Sequence, residues 1–274
     1  MKVIVLEKYK ELKELHENLR IKYIQVIEKK TDIIYKKVNY LEAKYLDHFG
    51  YLLKNKLTLS ANIKRNKKEI NLIQKYINRQ EIIDFDTIQN ILREDMELIS
   101  EELNEYQQKI EYSKEIIKIP NLTEDESQRI KIIYRKLADK LHPDINEFVD
   151  LNAKEMWLQI QKSYQGNDLP VLLLLERIID DNEYEREHNN GIKNIEEKIE
   201  ELEEKIEKIE NFIKEEVKKF PLNIEKYIDD EHYIKNQRKF YEEEISELEH
   251  IDNYYKNKVN MMEIKYGYKI DRTE

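Results

Sequence analysis

The residues most able to do chemistry stand together near the middle of the chain. His142 and Asp144, an imidazole and a carboxylate, flank Pro143. The pair could act as a catalytic acid and base, but no nucleophile motif or phosphate-binding glycine loop accompanies it. The six histidines include no two at a spacing of three or four residues, so we expect no metal site. We therefore expect a binding protein without catalytic residues or a cofactor.

The residues before this tripeptide predict a short basic helix. Thr123 and Glu126 form a capping-box pattern at its start, and Pro143 ends it because proline has no backbone N–H to donate. Five basic residues and one acidic residue lie between positions 127 and 141, in a chain with a net charge of −10. They flank an apolar stripe and therefore predict a local electropositive surface. The five are Arg129, Lys131, Arg135, Lys136 and Lys140.

Residues 134–146 resemble a known family signature. They read YRKLADKLHPDIN, which is similar to the pattern Y-R-K-L-A-x-K-x-H-P-D-x-N of J-domains, the DnaJ-type co-chaperones. The resemblance covers about residues 119–180. A helix over 153–164, with Gly166 as its C-terminal cap, would pair antiparallel with the basic helix, and Asp168 would cap a fourth helix over 169–179.

The resemblance implies a function and a set of binding residues. In J-domains this loop and helix bind a DnaK-type chaperone, the 70-kDa heat-shock ATPase, and stimulate its ATP hydrolysis. The basic residues here would meet an acidic patch, and Asp144 would pair with a basic group of the partner. The partner-binding residues would be His142, Pro143, Asp144, Arg129, Lys131, Tyr134, Arg135, Lys136, Lys140 and Asn146.

The start of this module departs from the family pattern. The short first helix that usually precedes the capping box is missing, and residues 116–122 are rich in isoleucine instead. We expect the end of the preceding long helix to substitute for it, and Ile132 to pack on that helix. Ile145 replaces the lysine that commonly follows the tripeptide.

The N-terminal part of the chain predicts long amphipathic helices. Only 4 Gly and 4 Pro occur in 274 residues, of which 39% are charged and 40% hydrophobic, so turns should be few. Helical periodicity runs over residues 6–47, and the helices over 52–78 and 86–118 should form an antiparallel pair. We expect Gly50 to break or kink the chain between helices and Asp86 to cap the later one.

The C-terminal part predicts a coiled-coil hairpin. A heptad seam runs from Ile192 to Ile213, Pro221 ends that helix, and a second amphipathic helix begins near Asp229. Because the two helices have similar lengths, we expect them to pair antiparallel within one chain. A homodimeric coiled coil is the alternative.

These patterns together predict an all-α protein in three parts. A long-helix, coiled-coil arm (1–118) and a helical hairpin (183–274) would flank a J-domain-like module (119–182). The absence of cysteine, of long apolar runs and of overall positive charge predicts a cytoplasmic protein without a membrane or nucleic-acid partner.

Two functions follow from this organisation. The module would stimulate a DnaK-type ATPase while the arms bind a client or scaffold. Alternatively, the protein would be a structural coiled-coil scaffold with a J-like docking module. An HPD loop (His142, Pro143 and Asp144) buried against an arm would favour the scaffold, whereas an open loop and basic face would favour the co-chaperone.

Overall fold

The described residues form helices joined by turns and loops, with no strand, which confirms the all-α prediction. The computed structural model describes residues 2–118, 122–146, 151–181 and 192–266. The α-helices are α1 (Lys2–Thr31), α2 (Val38–Arg79), α3 (Phe85–Lys118), α4 (Glu124–Leu141), α5 (Leu151–Gln165), α6 (Leu169–Asp181), α7 (Ile192–Glu216) and α8 (Glu231–Tyr266). A π-helical segment (Asp32–Lys37) joins α1 to α2, and a 3₁₀ turn (Leu222–Ile224) precedes α8.

The chain divides into two compact units, each assembled from separate stretches of sequence. Unit 1 comprises Met1–Asn39 and Pro120–Asn223, and unit 2 comprises Tyr40–Ile119 and Ile224–Glu274. This division differs from the three consecutive domains expected from the sequence, because the N-terminal helical run and the C-terminal helices are each shared between the two units.

Unit 1 is built around the bundle of α4, α5 and α6. The predicted helices after the HPD loop are present as α5 and α6, and the aromatic contacts of Tyr134 with Tyr164 and of His142 with Trp157 make α4 and α5 antiparallel. The apolar face of α4 is buried against both other helices. Its core residues are Ile130, Ile133, Tyr134, Leu137, Ala138 and Leu141.

The heptad seam of α7 packs along α1 in the same unit. The two helices run parallel, because Lys8 pairs with Glu196 at 2.8 Å and Lys22 pairs with Glu210 at 3.1 Å. Five apolar residues of the α7 seam are buried, as the heptad pattern predicted. They are Ile195, Ile199, Leu202, Ile206 and Ile213.

Unit 2 packs α2, α3 and α8 together. Lys54 contacts Gln107 and Lys68 contacts Asp95, so α2 and α3 are antiparallel, as predicted. Tyr45 meets Tyr241 and Asn66 meets Asp252, so α8 runs parallel to α2.

The predicted hairpin between α7 and α8 therefore needs correction. The α7 helix pairs with α1 in unit 1, and α8 pairs with α2 in unit 2. A heptad seam requires an apolar partner face. It does not specify which of several amphipathic helices in the chain supplies that face.

Gly50 does not break the helix as expected, because α2 runs through it. It is instead a point where α2 and α3 approach each other closely. A Cβ placed on Gly50 would lie 2.8 Å from Cγ1 of Ile110, which is fully buried. The glycine is therefore explained by interhelical packing.

Two helix ends also differ from the sequence prediction. The carboxylate of Asp84, not that of Asp86, caps α3 by accepting hydrogen bonds from the Thr87 amide at 3.0 Å and the Thr87 hydroxyl at 2.7 Å. The left-handed residue after α5 is Asn167, with a φ of 55°, and not Gly166. Asparagine tolerates this conformation nearly as well as glycine does, so the shift costs little.

The substitution Gly50→Ala tests the close approach of α2 and α3. In an unobstructed helix this change stabilises by up to about 1 kcal/mol, since alanine restricts the unfolded chain. Here the added methyl group would crowd Ile110, and we expect a destabilisation of about 1 kcal/mol or more in urea unfolding.

Gly166→Ala is the matched control. Its added Cβ would lie no closer than 3.4 Å to a neighbouring atom, the backbone oxygen of Lys162, so its effect should stay within about 0.5 kcal/mol. Equal stability of the two variants would contradict the packing explanation for Gly50.

Candidate partner-binding site at the end of helix α4

The boundaries of α4 are set by local capping interactions. The Thr123 hydroxyl accepts a hydrogen bond from the Glu126 amide at 3.2 Å, and the Thr123 amide donates to the Glu126 carboxylate at 3.0 Å. This confirms the predicted capping box. At the other end the helix stops at His142, whose carbonyl accepts from the amides of Ile145 and Asn146, both at 3.0 Å. The HPD loop is therefore a hydrogen-bonded turn.

His142 points into unit 1 and away from solvent. Its side chain packs edge-on against Trp157 and Tyr23, with ring centroids 4.8 and 5.8 Å away, and the residue is 6% exposed. Burial lowers the pKa of His142 from 6.5 to about 4. The Asp144 amide also donates to Nδ1 of His142 at 3.1 Å. Because Nδ1 can accept only when it is unprotonated, the imidazole is neutral at pH 7.

Asp144 is held by a tyrosine from α1. The Tyr23 hydroxyl donates a hydrogen bond to Oδ2 of Asp144 at 2.7 Å. Burial, assisted by this bond to a carboxylate, raises the pKa of the Tyr23 hydroxyl, so it remains a donor. The backbone turn nevertheless leaves Pro143 and Asp144 exposed as residues. The loop thus has one buried member and two accessible ones.

The α1 helix packs antiparallel across α4 and pairs with its polar residues. Arg20 pairs with Asp139 at 2.9 Å near the end of α4. Eight residues further along α1, Glu28 forms a bidentate pair with the guanidinium of Arg135, through Nε and through Nη2 at 3.0 Å. Ile24, between Arg20 and Glu28, enters the core of unit 1.

This arrangement corrects the expectation about the missing first helix. The end of α3 was expected to cover α4, but α3 belongs to unit 2, and the helix that packs on α4 from outside the module is α1. Ile132, which was expected to pack on the substituting helix, is 64% exposed. It lies on the side of α4 that faces solvent.

The basic residues of α4 are largely matched by acidic residues of the same unit. On the α1 side, Lys131 lies 3.1 Å from Asp32, in addition to the Arg135 pair. On the α6 side, Lys136 lies 2.9 Å from Glu176 and 2.6 Å from Asp180, which also pairs with Lys140. The expected electropositive surface is therefore mostly neutralised within the unit.

An open strip remains between these two rows of ion pairs. Its centre is Ile132, and Arg129 is exposed one turn earlier on the same face. The side chains of Arg135 and Lys136 on its two flanks are 44% and 42% exposed, despite their acidic partners. Together with Pro143 they form a surface that a partner can reach.

Two of the residues expected to bind a partner have internal roles instead. Tyr134 is fully buried and stacks on Tyr164 with 4.0 Å between ring centroids, so it contributes to the core. The Asn146 side-chain amide donates to the Asp139 carbonyl at 3.1 Å and so caps the end of α4. Tyr134 therefore stabilises the core of unit 1, and Asn146 stabilises the turn that follows α4.

Sequence reasoning missed the contribution of α1. Arg20, Tyr23 and Glu28 reach the site from more than 100 positions earlier in the chain. They lie on one face of α1 at helical spacing, but nothing in that pattern names α4 as the partner. Only knowledge of which distant residues contact each other would have shown that α1 packs on α4.

Comparison of the chain with protein-family models, with curated proteins and with solved structures finds no match. The described residues hold no cluster of three or more acidic or histidine side chains suited to a metal ion. In the same part of the chain, no helix combines the length and low charge that crossing a bilayer requires.

The substitution Arg135→Met tests the ion pair between α1 and α4. It would leave the Glu28 carboxylate, whose side chain is 5% exposed, without its bidentate partner. Because a buried charge that loses its partner is costly, we expect the free energy of unfolding to fall by about 2 kcal/mol.

Lys136→Met, one position along the same helix, is the control for lost basic charge. The acidic partners of Lys136 are more exposed, with side-chain accessibilities of 22% and 40%, and surface pairs of this kind contribute about 0–1 kcal/mol. If Lys136→Met lowers the free energy of unfolding as much as Arg135→Met does, the unpaired Glu28 carboxylate is not the cause of the destabilisation.

The buried imidazole of His142 predicts a pH-dependent stability. Between pH 6.5 and about 4 the unfolded chain binds a proton at His142 that the folded chain does not. The stability due to neutral His142 is therefore fully present above pH 6.5 and is lost as the pH falls toward 4. We expect the stability difference between the protein and its His142→Gln variant to shrink by about 2–3 kcal/mol over that range.

A titration followed by NMR reads the same property directly. The His142 imidazole resonances should shift with a midpoint near pH 4 in the folded protein. Burial also lowers the pKa of His16. Because His16 is present in both proteins of the stability comparison, its contribution to the pH dependence cancels. A His142 midpoint near 6.5 would contradict the buried geometry.

Proposed function

We propose that this protein is a J-domain-type co-chaperone that binds a DnaK-type chaperone and stimulates its ATPase. The observation that carries the proposal is the joint geometry of α4 and the HPD loop. The loop closes α4 as a tight turn, α5 returns antiparallel, and the outer strip of α4 with Pro143 and Asp144 stays accessible. The resemblance of residues 134–146 to the J-domain signature supports the same function.

The ion pairs along α4 are compatible with binding an acidic partner. Lys136 pairs with the half-buried Glu176 and with the exposed Asp180, and Lys140 also pairs with Asp180. Pairs at the surface are weak, so acidic groups of a partner could replace them at little cost. Arg129 and Ile132 would contact the partner between the two rows of pairs, combining one charge with one apolar anchor.

Within this proposal the three residues of the loop have different roles. Asp144 would be the contact residue, because it is the exposed charged residue of the turn. His142 would act as a positioning residue, since it is buried and accepts the Asp144 amide through Nδ1. Pro143 would fix the backbone between them.

A single-turnover ATPase assay with a DnaK-type chaperone tests the proposal. The purified protein should accelerate hydrolysis, and His142→Gln and Asp144→Asn should each abolish the acceleration. Asp144→Asn matters because it changes an exposed group and should leave the fold intact, as circular dichroism can check. His232→Gln on α8, an exposed histidine outside this site, is the control and should retain full activity. No acceleration by the unmodified protein would refute the proposal.

A scaffold with a J-like docking module is the second candidate. It is favoured by the burial of His142 and by the hydrogen bond from Tyr23 that occupies Asp144. In that case α1 would hold the loop permanently, and the module would serve as a structural element between helices.

Tyr23→Phe separates the two candidates within the same assay. For a co-chaperone, removing the hydroxyl frees the Asp144 carboxylate and should lower the protein concentration needed for half-maximal stimulation by about three- to tenfold. For a scaffold, neither the protein nor Tyr23→Phe should stimulate hydrolysis.

A further inference from the structure

Helix α8 has an exposed apolar stripe beside the face that packs into unit 2. Its inward face is buried through residues such as Tyr241, Ile245 and Val259. Roughly 130° around the helix axis, taking about 100° per residue, a second stripe faces solvent. Its members are Phe240, Glu247, Ile251, Tyr254, Lys258 and Met261.

The apolar members of this stripe are strongly exposed to solvent. Phe240 is 51% exposed, Ile251 42%, Tyr254 61% and Met261 69%. Aligned apolar side chains on a helix surface mark a site of association. From Phe240 to Met261 the stripe is about 32 Å long at 1.5 Å per residue.

The spacing of the stripe is that of a coiled-coil seam. The first step of seven, from Phe240 to Glu247, passes over Glu244, a half-buried residue at the intervening repeat position that pairs with Lys56 of α2. From Glu247 the positions follow by four, three, four and three residues. These are the a and d positions of a heptad repeat, which face a partner helix in knobs-into-holes packing. A helix is therefore the partner that this surface fits.

The two exposed charges in the seam indicate both the identity and the direction of that helix. Glu247 lies in the first half of the stripe and Lys258 in the second, and both residues are exposed. In a parallel pair of identical helices each would face its own copy, which is repulsive. In an antiparallel pair with a-to-d layers, Glu247 of one copy faces Lys258 of the other, and Ile251 faces Tyr254.

We propose that α8 pairs antiparallel with α8 of a second copy of this chain, forming a homodimer through the part of the stripe from Glu247 to Lys258. The two central layers each place Ile251 of one copy against Tyr254 of the other, and the two-fold axis relates these layers. The flanking layers place one Glu247–Lys258 pair on each side. The interface uses unit 2 alone and no residue of the candidate site on α4.

Charge reversal tests the proposed pairing in solution. Sedimentation equilibrium should show a dimer, and Glu247→Lys or Lys258→Glu should each raise its dissociation constant by at least about tenfold, because each places like charges in both flanking layers. The double variant, Glu247→Lys with Lys258→Glu, restores opposite charges and should restore the dimer. Glu249→Lys changes an exposed residue off the stripe and is the control.

Cysteine cross-linking tests the direction of the pairing. The chain has no cysteine, so introduced thiols have no competitors. A mixture of Glu247→Cys and Lys258→Cys proteins should form a disulfide between the two variants under mild oxidation. Each variant alone should not, because the two copies of position 258 lie about 16 Å apart along an antiparallel pair, beyond disulfide reach.

Several results would overturn the proposal. A monomer at every concentration would exclude the dimer, and cross-linking of each cysteine variant with itself would show a parallel pair. A dimer that Glu249→Lys weakens as much as Glu247→Lys would place the interface elsewhere on the protein. None of these outcomes depends on whether the protein stimulates a chaperone.

Discussion

A buried carboxylate determines how unit 1 is assembled. Glu28 on α1 is 4% exposed, and a charge in that position is tolerated only when it is paired. Its partners are Arg135, which binds it bidentately, and Lys131, 3.9 Å away. Both partners are on α4. The requirement to pair Glu28 thus fixes both the rotation and the register of α1 against α4.

The geometry of the HPD loop follows from that register. With Glu28 opposite Arg135, the antiparallel α1 brings Tyr23 to Asp144 and places its ring beside His142. The imidazole is covered from one side by α1 and from the other by Trp157 of α5. The loop is therefore shaped by a helix far away in sequence as well as by the proline inside it.

The sequence predicted those features that depend on neighbouring residues. The capping box at Thr123, the end of α4 before Pro143 and the buried stripe of α7 arise from interactions within a few turns of one helix. The antiparallel pairing of α2 and α3 was also predictable, because the connection between them is short.

Features that depend on distant residues were not predictable from one sequence. The heptad seam of α7 could have packed on any long amphipathic helix, and the choice of α1 rests on the combined fit of many side chains. Gly50 was expected to break a helix, because its actual role, leaving space for the side chain of Ile110, depends on a residue 60 positions away. The pairing of Glu28 with Arg135, 107 positions apart, has no local signature at all.

The interleaved order of the two units has a consequence for synthesis of the chain. Helix α1 leaves the ribosome early, but α4 follows only after all of α2 and α3, and α7 later still. Unit 2 likewise waits for α8, whose last described residue is Tyr266. Neither unit can be completed while the first half of the chain is emerging, so the face of α1 that packs on α4 and α7 and the face of α2 that packs on α8 stay uncovered until those helices are made. Such contacts between distant parts of the sequence slow folding and prolong exposure to aggregation.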